Sequence, residues 1–193
     1  MASNELDVAV LASELFESLG VKHFVGGSTA SSFYGESRST HDVDIAVALR
    51  PEHIAPLLRR SASEFFVEPE FVEEAVRHSR MFTMVHRKAF VKVDVYVRPL
   101  EGFFESEIRR ARLLEIRRTP PGEAWMPSAE DIVLQKLAWY QKGDCVSERQ
   151  WRDVLGVLRN GSGRVDLAYL RRWAKELGVS ALLEKALAQA AEA

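Results

Sequence analysis

Two aspartates, Asp42 and Asp44, stand one residue apart inside the apolar run "DVDIAV". On a strand, residues i and i+2 share a face, so both carboxylates project together while Val43 and Ile45 point the other way. Two like charges about 4 Å apart repel by about 4 kcal/mol at an effective dielectric of 20. A divalent cation removes that penalty. Hard oxygen donors of this kind suit Mg²⁺ or Mn²⁺, which take one or two carboxylates and leave the other positions to water and phosphate. The structural alternative is that Asp42 caps an element and Asp44 ends a solvated strand.

A third acid, Asp94, interrupts the valine-rich "VKVDVYV", residues 91–97. There Val91, Val93, Val95 and Val97 take one face, and Lys92, Asp94 and Tyr96 the other. A carboxylate in such a strand is costly without a partner. Lys92 or Arg98 could supply one at a strand edge. If this strand instead lies beside "DVDIAVAL", three carboxylates converge and two metal ions could serve an in-line attack at phosphorus. Upstream, "GGST" (Gly26, Gly27, Ser28, Thr29) follows a strand and opens a helix. Glycine permits close backbone approach, the free N–H groups of a helix start favour phosphate, and the two hydroxyls add donors. Neither a Walker loop nor a dinucleotide fingerprint is present.

The elements that must position these residues follow from periodicity. "NELDVAVLASELFESLG" has helical spacing, with Ser3 or Asn4 as N-cap and Gly20 as stop. "HFVGG" predicts a strand, "STASSFYG" a short helix closed by Gly35, and "DVDIAVAL" a strand. Helices follow over "RPEHIAPLLRRSASEF", with its proline in the first turn, and over "PEFVEEAVRHS". Two strands in "RMFTMVHRKAFVKVDVYV" flank a turn at Arg87–Lys88. Pro120–Pro121–Gly122 predicts a loop. From Ser128 the pattern is helical in four segments, and Ser128 with Asp131 forms a capping box. The expected organisation is an α/β (α+β) core with a mixed sheet over residues 1–122 and a helical C-terminal part over 123–193.

The chain has 193 residues, 47% hydrophobic, with a formal net charge of -2. That is enough apolar residue for a sizeable core, and the total charge points to no polyanion partner. The single cysteine, Cys145, excludes an intramolecular disulfide and a cysteine metal cluster. With no basic-then-apolar leader and no apolar run near the roughly 20 residues of a membrane span, a cytoplasmic setting without a membrane is expected.

The stretch "GGSTASSFYGESRSTHDVDIAV" resembles the first motif of the nucleotidyltransferase superfamily related to DNA polymerase β. It is most similar to the branch of AbiEii-type toxins, in which a double glycine precedes an R-x-T-x-D-x-D string, here Arg38 to Asp44. The resemblance covers about residues 20 to 160. It implies transfer of a nucleoside monophosphate from an NTP to a hydroxyl on RNA or tRNA, a protein or a small molecule, with Mg²⁺ or Mn²⁺, and a toxin–antitoxin setting. Asp42, Asp44 and Asp94 would be the catalytic metal ligands, with Asp94 helping to deprotonate the acceptor. Gly26, Gly27, Ser28 and Thr29 would hold the nucleotide's phosphates. Arg38 and Thr40 would orient the acid strand or touch phosphate. Lys136, in "IVLQKLAWY", would neutralise triphosphate charge; as an alternative it is an ordinary lysine on a polar helix edge. Arg152 and Asp153 would pair to fix that helix. His41 is read as structural, facing away from Asp42. Trp125, Trp139, Trp151 and Trp173 are read as packing residues. The basic stretches at 109–112 and 116–119 are solvated faces or, beside a cleft, an RNA contact. The rival within the same fold is a catalytically inactive binding or antitoxin-like partner, and a third reading is a structural α/β domain with surface acids.

Overall fold

A computed structural model describes residues 5–36, 41–161 and 165–192. The chain divides into two compact units, residues 1–29 with 39–126, and residues 30–38 with 127–193. Residues 30–36 thus group with the C-terminal helices.

The first unit is built on a five-stranded mixed sheet. Its strands are β1 (His23–Val25), β2 (Asp42–Val47), β3 (Phe65–Phe66), β4 (Met81–His86) and β5 (Lys92–Val97), in the order β1-β2-β5-β4-β3. β2 and β5 are parallel, and the other pairs are antiparallel. One face of the sheet is apolar and closed. Val43, Ile45, Val47, Phe82, Met84, Val93, Val95 and Val97 are all buried there, as the period-2 alternation requires. Helices α1 (Glu5–Ser18), α3 (Pro51–Ser61) and α4 (Pro69–His78) contribute Val8, Phe16, Leu57 and Val72 to the buried set. α1 ends where Gly20 takes a left-handed conformation, φ 68°, and α3 starts on Pro51.

One part of this unit departs from the sequence expectation. Residues 102–126 form a helix, α5 (Gly102–Arg110), and a two-stranded antiparallel sheet, β6 (Arg112–Arg118) with β7 (Pro121–Met126). Pro120–Pro121–Gly122 is therefore not a free loop: the turn is at Thr119–Pro120, and Pro121 and Gly122 already lie in β7. Proline is tolerated as the first residue of a strand, which is where Pro121 falls. The basic stretch is also partly neutralised. Arg117 pairs with Asp7 at 2.7 Å and donates to the Pro120 carbonyl, and Arg109 faces Glu105 at 3.7 Å. Phe104 of α5 packs with Phe24 and Ala46 on the second face of the sheet.

The second unit holds α6 (Ala129–Lys142), α7 (Glu148–Asn160), α8 (Leu167–Glu176) and α9 (Ser180–Ala191), which pack on one another. α6 begins at the expected capping box: Ser128 accepts from the Asp131 N–H, and the Asp131 carboxylate accepts from Ser128. The end of α2 (Gly27–Tyr34), which starts in the first unit, belongs here too. Gly35 and Gly156 let the chain after α2 lie on the α7 backbone, since a Cβ on Gly35 would come within 3.0 Å of the Val157 nitrogen. The tryptophans are less buried than expected. Trp125 is on β7, and Trp139 is half exposed with the Lys142 ammonium over its ring. Amphipathic Trp tolerates this because one ring edge can stay wet. No helix among the described residues is long and apolar enough to cross a membrane.

Candidate active site

The three acids share the second face of the sheet. β2 and β5 pair in parallel with Asp44 opposite Asp94 and Asp42 opposite Lys92. Adjacent strands are about 4.8 Å apart, so Asp44 and Asp94 are nearest neighbours across the ladder, and Asp42 follows one pleat along. Asp42 is exposed, and Asp44 and Asp94 are half-buried. Val43 between the first two is fully buried on the opposite face.

The residues of the GGST turn lie against this face. The Gly26 N–H donates to the Asp44 carbonyl at 2.9 Å, which ties the end of β1 to β2. The next residue, Gly27, opens α2 with φ 55°, a conformation that favours glycine. A Cβ at Gly27 would overlap Asp44 Oδ2 and come within 2.5 Å of its Cγ. The Asp44 carboxylate thus occupies the space a side chain would take, at the start of a helix. Thr29, in the first turn, is buried, and its hydroxyl has no hydrogen-bond partner among the described residues.

Two further side chains, not anticipated as site residues, hold the acids. The Thr83 hydroxyl, opposite Asp94 on β4, donates to Asp94 Oδ1 at 2.7 Å. Tyr96, one pleat beyond Asp94, hydrogen-bonds to Asp44. Burial first, and then the negative charges of Asp44 and Asp94, push the Tyr96 hydroxyl up to about 12. It therefore stays protonated and donates. Tyr96 shares the Asp94 face by strand alternation, a signal visible in "VKVDVYV". Thr83 had none, because its position depends on the β4–β5 register.

The structural alternatives for Asp94 resolve against an ion pair. Arg98 pairs with the fully buried Glu107 at 2.8 Å and lies over the Phe104 ring. Among the described residues no ion pair joins Asp94 to Lys92 or Arg98. His41 is exposed, 3.7 Å from Glu5, so it is not a packed structural residue; it precedes β2 and lies outside the ladder. Arg38 and Thr40 lie outside the described residues. Cys145 is exposed.

Lys136 is neither at a polar edge nor solvated. It is buried in the second unit, with Nζ 2.8 Å from Asp153 Oδ2, and Ser31 Oγ donates to the same oxygen at 3.3 Å. Asp153 of α7 thus holds α6 through Lys136.

A hard divalent cation is the group these side chains would have to hold. The donors are carboxylate oxygens, the right chemistry for Mg²⁺ or Mn²⁺, and a cradle with an unpartnered buried hydroxyl adjoins them. Among the described residues, however, no three His, Cys, Asp or Glu side chains stand as a formed metal-holding group. Asp44 leans to Gly27 on one side and Asp94 to Thr83 on the other. That suits a cation which takes one or two carboxylates and completes its shell with phosphate and water.

No family model matches the sequence, and no curated protein matches it. Solved structures do. One is an antigenic nucleotidyltransferase-like protein from Paracoccidioides brasiliensis, 17% identical over 93% of this chain and 90% of that one, with a TM-score of 0.54. Another is the lincosamide antibiotic adenylyltransferase LnuA with lincomycin bound, 13% identical over 80% of this chain and 98% of that one, with a TM-score of 0.50. At these identities the likeness is one of architecture. The α+β architecture with its mixed sheet is what the chain shares with these nucleotidyltransferase-like structures.

Proposed function

We propose that the chain is a Mg²⁺- or Mn²⁺-dependent nucleotidyltransferase that moves a nucleoside monophosphate from an NTP to a hydroxyl acceptor. The observation that carries this reading is the ladder register that sets Asp44 beside Asp94 on the face where α2 begins. In this reading Gly26, Gly27, Ser28 and Thr29 take the triphosphate with backbone N–H groups and hydroxyls. Asp42, Asp44 and Asp94 hold the cation, which when bound offsets phosphate charge and makes the acceptor hydroxyl more acidic. Asp94 accepts the acceptor's proton as that oxygen bonds to the α-phosphorus. The bond from the α-phosphorus to the bridging oxygen breaks, and pyrophosphate leaves. Lys136 is a candidate for neutralising triphosphate charge, in competition with Asp153, and Arg38 and Thr40 are candidates for orienting the acid strand.

The acceptor classes are RNA or tRNA, protein, and small molecules. The lincomycin-bound adenylyltransferase gives the small-molecule class its support, while the toxin–antitoxin setting rests on the motif's likeness to AbiEii-type toxins. The test is incubation with each α-³²P-labelled NTP, Mg²⁺ and cell extract, followed by separation of RNA, protein and small molecules. Label is expected in one fraction, and none with Asp94→Asn. Calorimetric binding of Mg²⁺–ATP without transfer of label would favour the inactive-partner reading. Absence of both would leave a structural domain with surface acids.

A further inference from the structure

Thr83 and Gly27 lie on opposite sides of the acid pair. The strand order β1-β2-β5-β4-β3 puts β4 on the side of β5 away from β2, and β1, which leads into Gly27, on the other side of β2. Asp94 gives Oδ1 to Thr83 across the β4 side, whereas Asp44 Oδ2 rests on Gly27 at the β1 side. The two carboxylates are neighbours in register, each with a contact of its own, and Asp44 also accepts from Tyr96 of β5. Two like charges without a cation between them are steadied by such separate partners.

We propose that Thr83 is the positioning residue of Asp94: its hydroxyl parks the carboxylate over β4 and makes three-acid cation binding conditional on a nucleotide. This rests on the proposed function and deepens it. A hydrogen bond to an ionised carboxylate is among the stronger ones a hydroxyl makes. A lone cation offered to the nucleotide-free chain must take Asp94 in the pose that bond sets, with no phosphate to complete its shell. A cation arriving with a triphosphate brings phosphate oxygens as further ligands at the Gly26–Thr29 cradle. Thr83 thereby disfavours idle metal binding without opposing the productive complex.

The experiment titrates Mn²⁺ into the full chain by calorimetry and by electron paramagnetic resonance, with and without the non-hydrolysable analogue α,β-methylene-ATP. Thr83→Val keeps the shape and removes the donor, and is expected to bind Mn²⁺ about tenfold tighter without nucleotide, the scale of one hydrogen bond to a charged group. Thr83→Ser restores the hydroxyl and should bind like wild type. With the analogue present, the difference should nearly vanish. Adding Asp94→Asn to Thr83→Val should erase the gain. The proposal is overturned if Thr83→Val binds free Mn²⁺ as wild type does, if Thr83→Ser shifts with it, or if the gain survives Asp94→Asn. A merely structural Thr83 would lower the melting temperature without moving these affinities. Thr83→Ala serves as a second variant should valine fold poorly. If wild type does not bind Mn²⁺ with the analogue at all, the functional reading falls and takes the proposal with it. Normal analogue binding with no effect at Thr83 refutes the positioning role alone.

Discussion

His23 shows what burial does to a single titratable group. Its ring is nearly inaccessible, and desolvation holds its pKa below 6.5 despite the Val21 carbonyl, 2.8 Å from Nδ1. That carbonyl can only accept, so Nδ1 carries the proton, and Nε2 accepts from the Ser13 hydroxyl at 2.8 Å. The unfolded chain protonates this histidine near pH 6.5 and the folded chain at lower pH, so the unfolded state binds more protons in between. Stability is therefore complete above pH 6.5 and falls as pH drops toward the folded value, by at most about 1.4 kcal/mol per pH unit for one proton. Denaturant unfolding at pH 7.5, 6.5 and 5.5 should show this slope in wild type, and His23→Gln should flatten it while lowering stability at pH 7.5. Parallel wild-type and variant curves would assign the slope elsewhere. Lys136 is instead one end of a buried ion pair, its Nζ 2.8 Å from Asp153 Oδ2. Such a pair is costly to break at one end because the other charge stays buried.

The start of α2 is where one element meets the chemistry of another. Gly27 combines φ 55° with a side-chain space already filled by the Asp44 carboxylate. Gly27→Ala must strain the backbone and displace Asp44 together. Binding of an ATP analogue should fall by at least about tenfold, and the melting temperature should drop, because a β-carbon at positive φ costs on the order of 1 kcal/mol before any clash. Retained analogue affinity in a folded variant would move the cradle away from this turn. The helix start at GGST, the acid strand and the valine alternation of β5 were all legible in the sequence because residue type and period agree there. The β4–β5 register was not, so Thr83 stayed hidden, and neither was the β6–β7 hairpin. Its strand "RLLEIRR" is largely exposed and carries charges on both faces, so it has no period to read. The burial of Lys136 was hidden for a related reason. The apolar stripe of α6 identifies a buried face, but a lysine on it is recognisable only once Asp153 of α7 lies opposite.

At the scale of the whole molecule, the acids should act on stability with opposite signs in the free and liganded states. In the nucleotide-free chain Asp42, Asp44 and Asp94 place three negative charges on one sheet face, with Lys92 opposite Asp42 in the ladder as the nearby cation. Neutralising Asp42, the most exposed of the three, relieves repulsion among them. Asp42→Asn should leave the free chain's melting temperature unchanged or raise it. A ligand that binds only the folded chain adds about 2.7 kcal/mol at a hundredfold excess over its dissociation constant. For a chain of this length that corresponds to a rise of about 5–10 °C. Wild type should show this rise with Mg²⁺ and a non-hydrolysable ATP analogue, and little of it with either alone. Asp42→Asn should lose most of it. The two melting curves should therefore cross in order: the variant equal or higher without ligand, and wild type higher with it. A charge that merely solubilises the surface would shift both states alike. A carboxylate needed for the fold would lower the variant in both, so a crossing separates a ligand-binding acid from either. If the order stays the same with and without Mg²⁺ and the analogue, Asp42 does not hold the cation, and the metal site proposed here would have to be drawn from other residues.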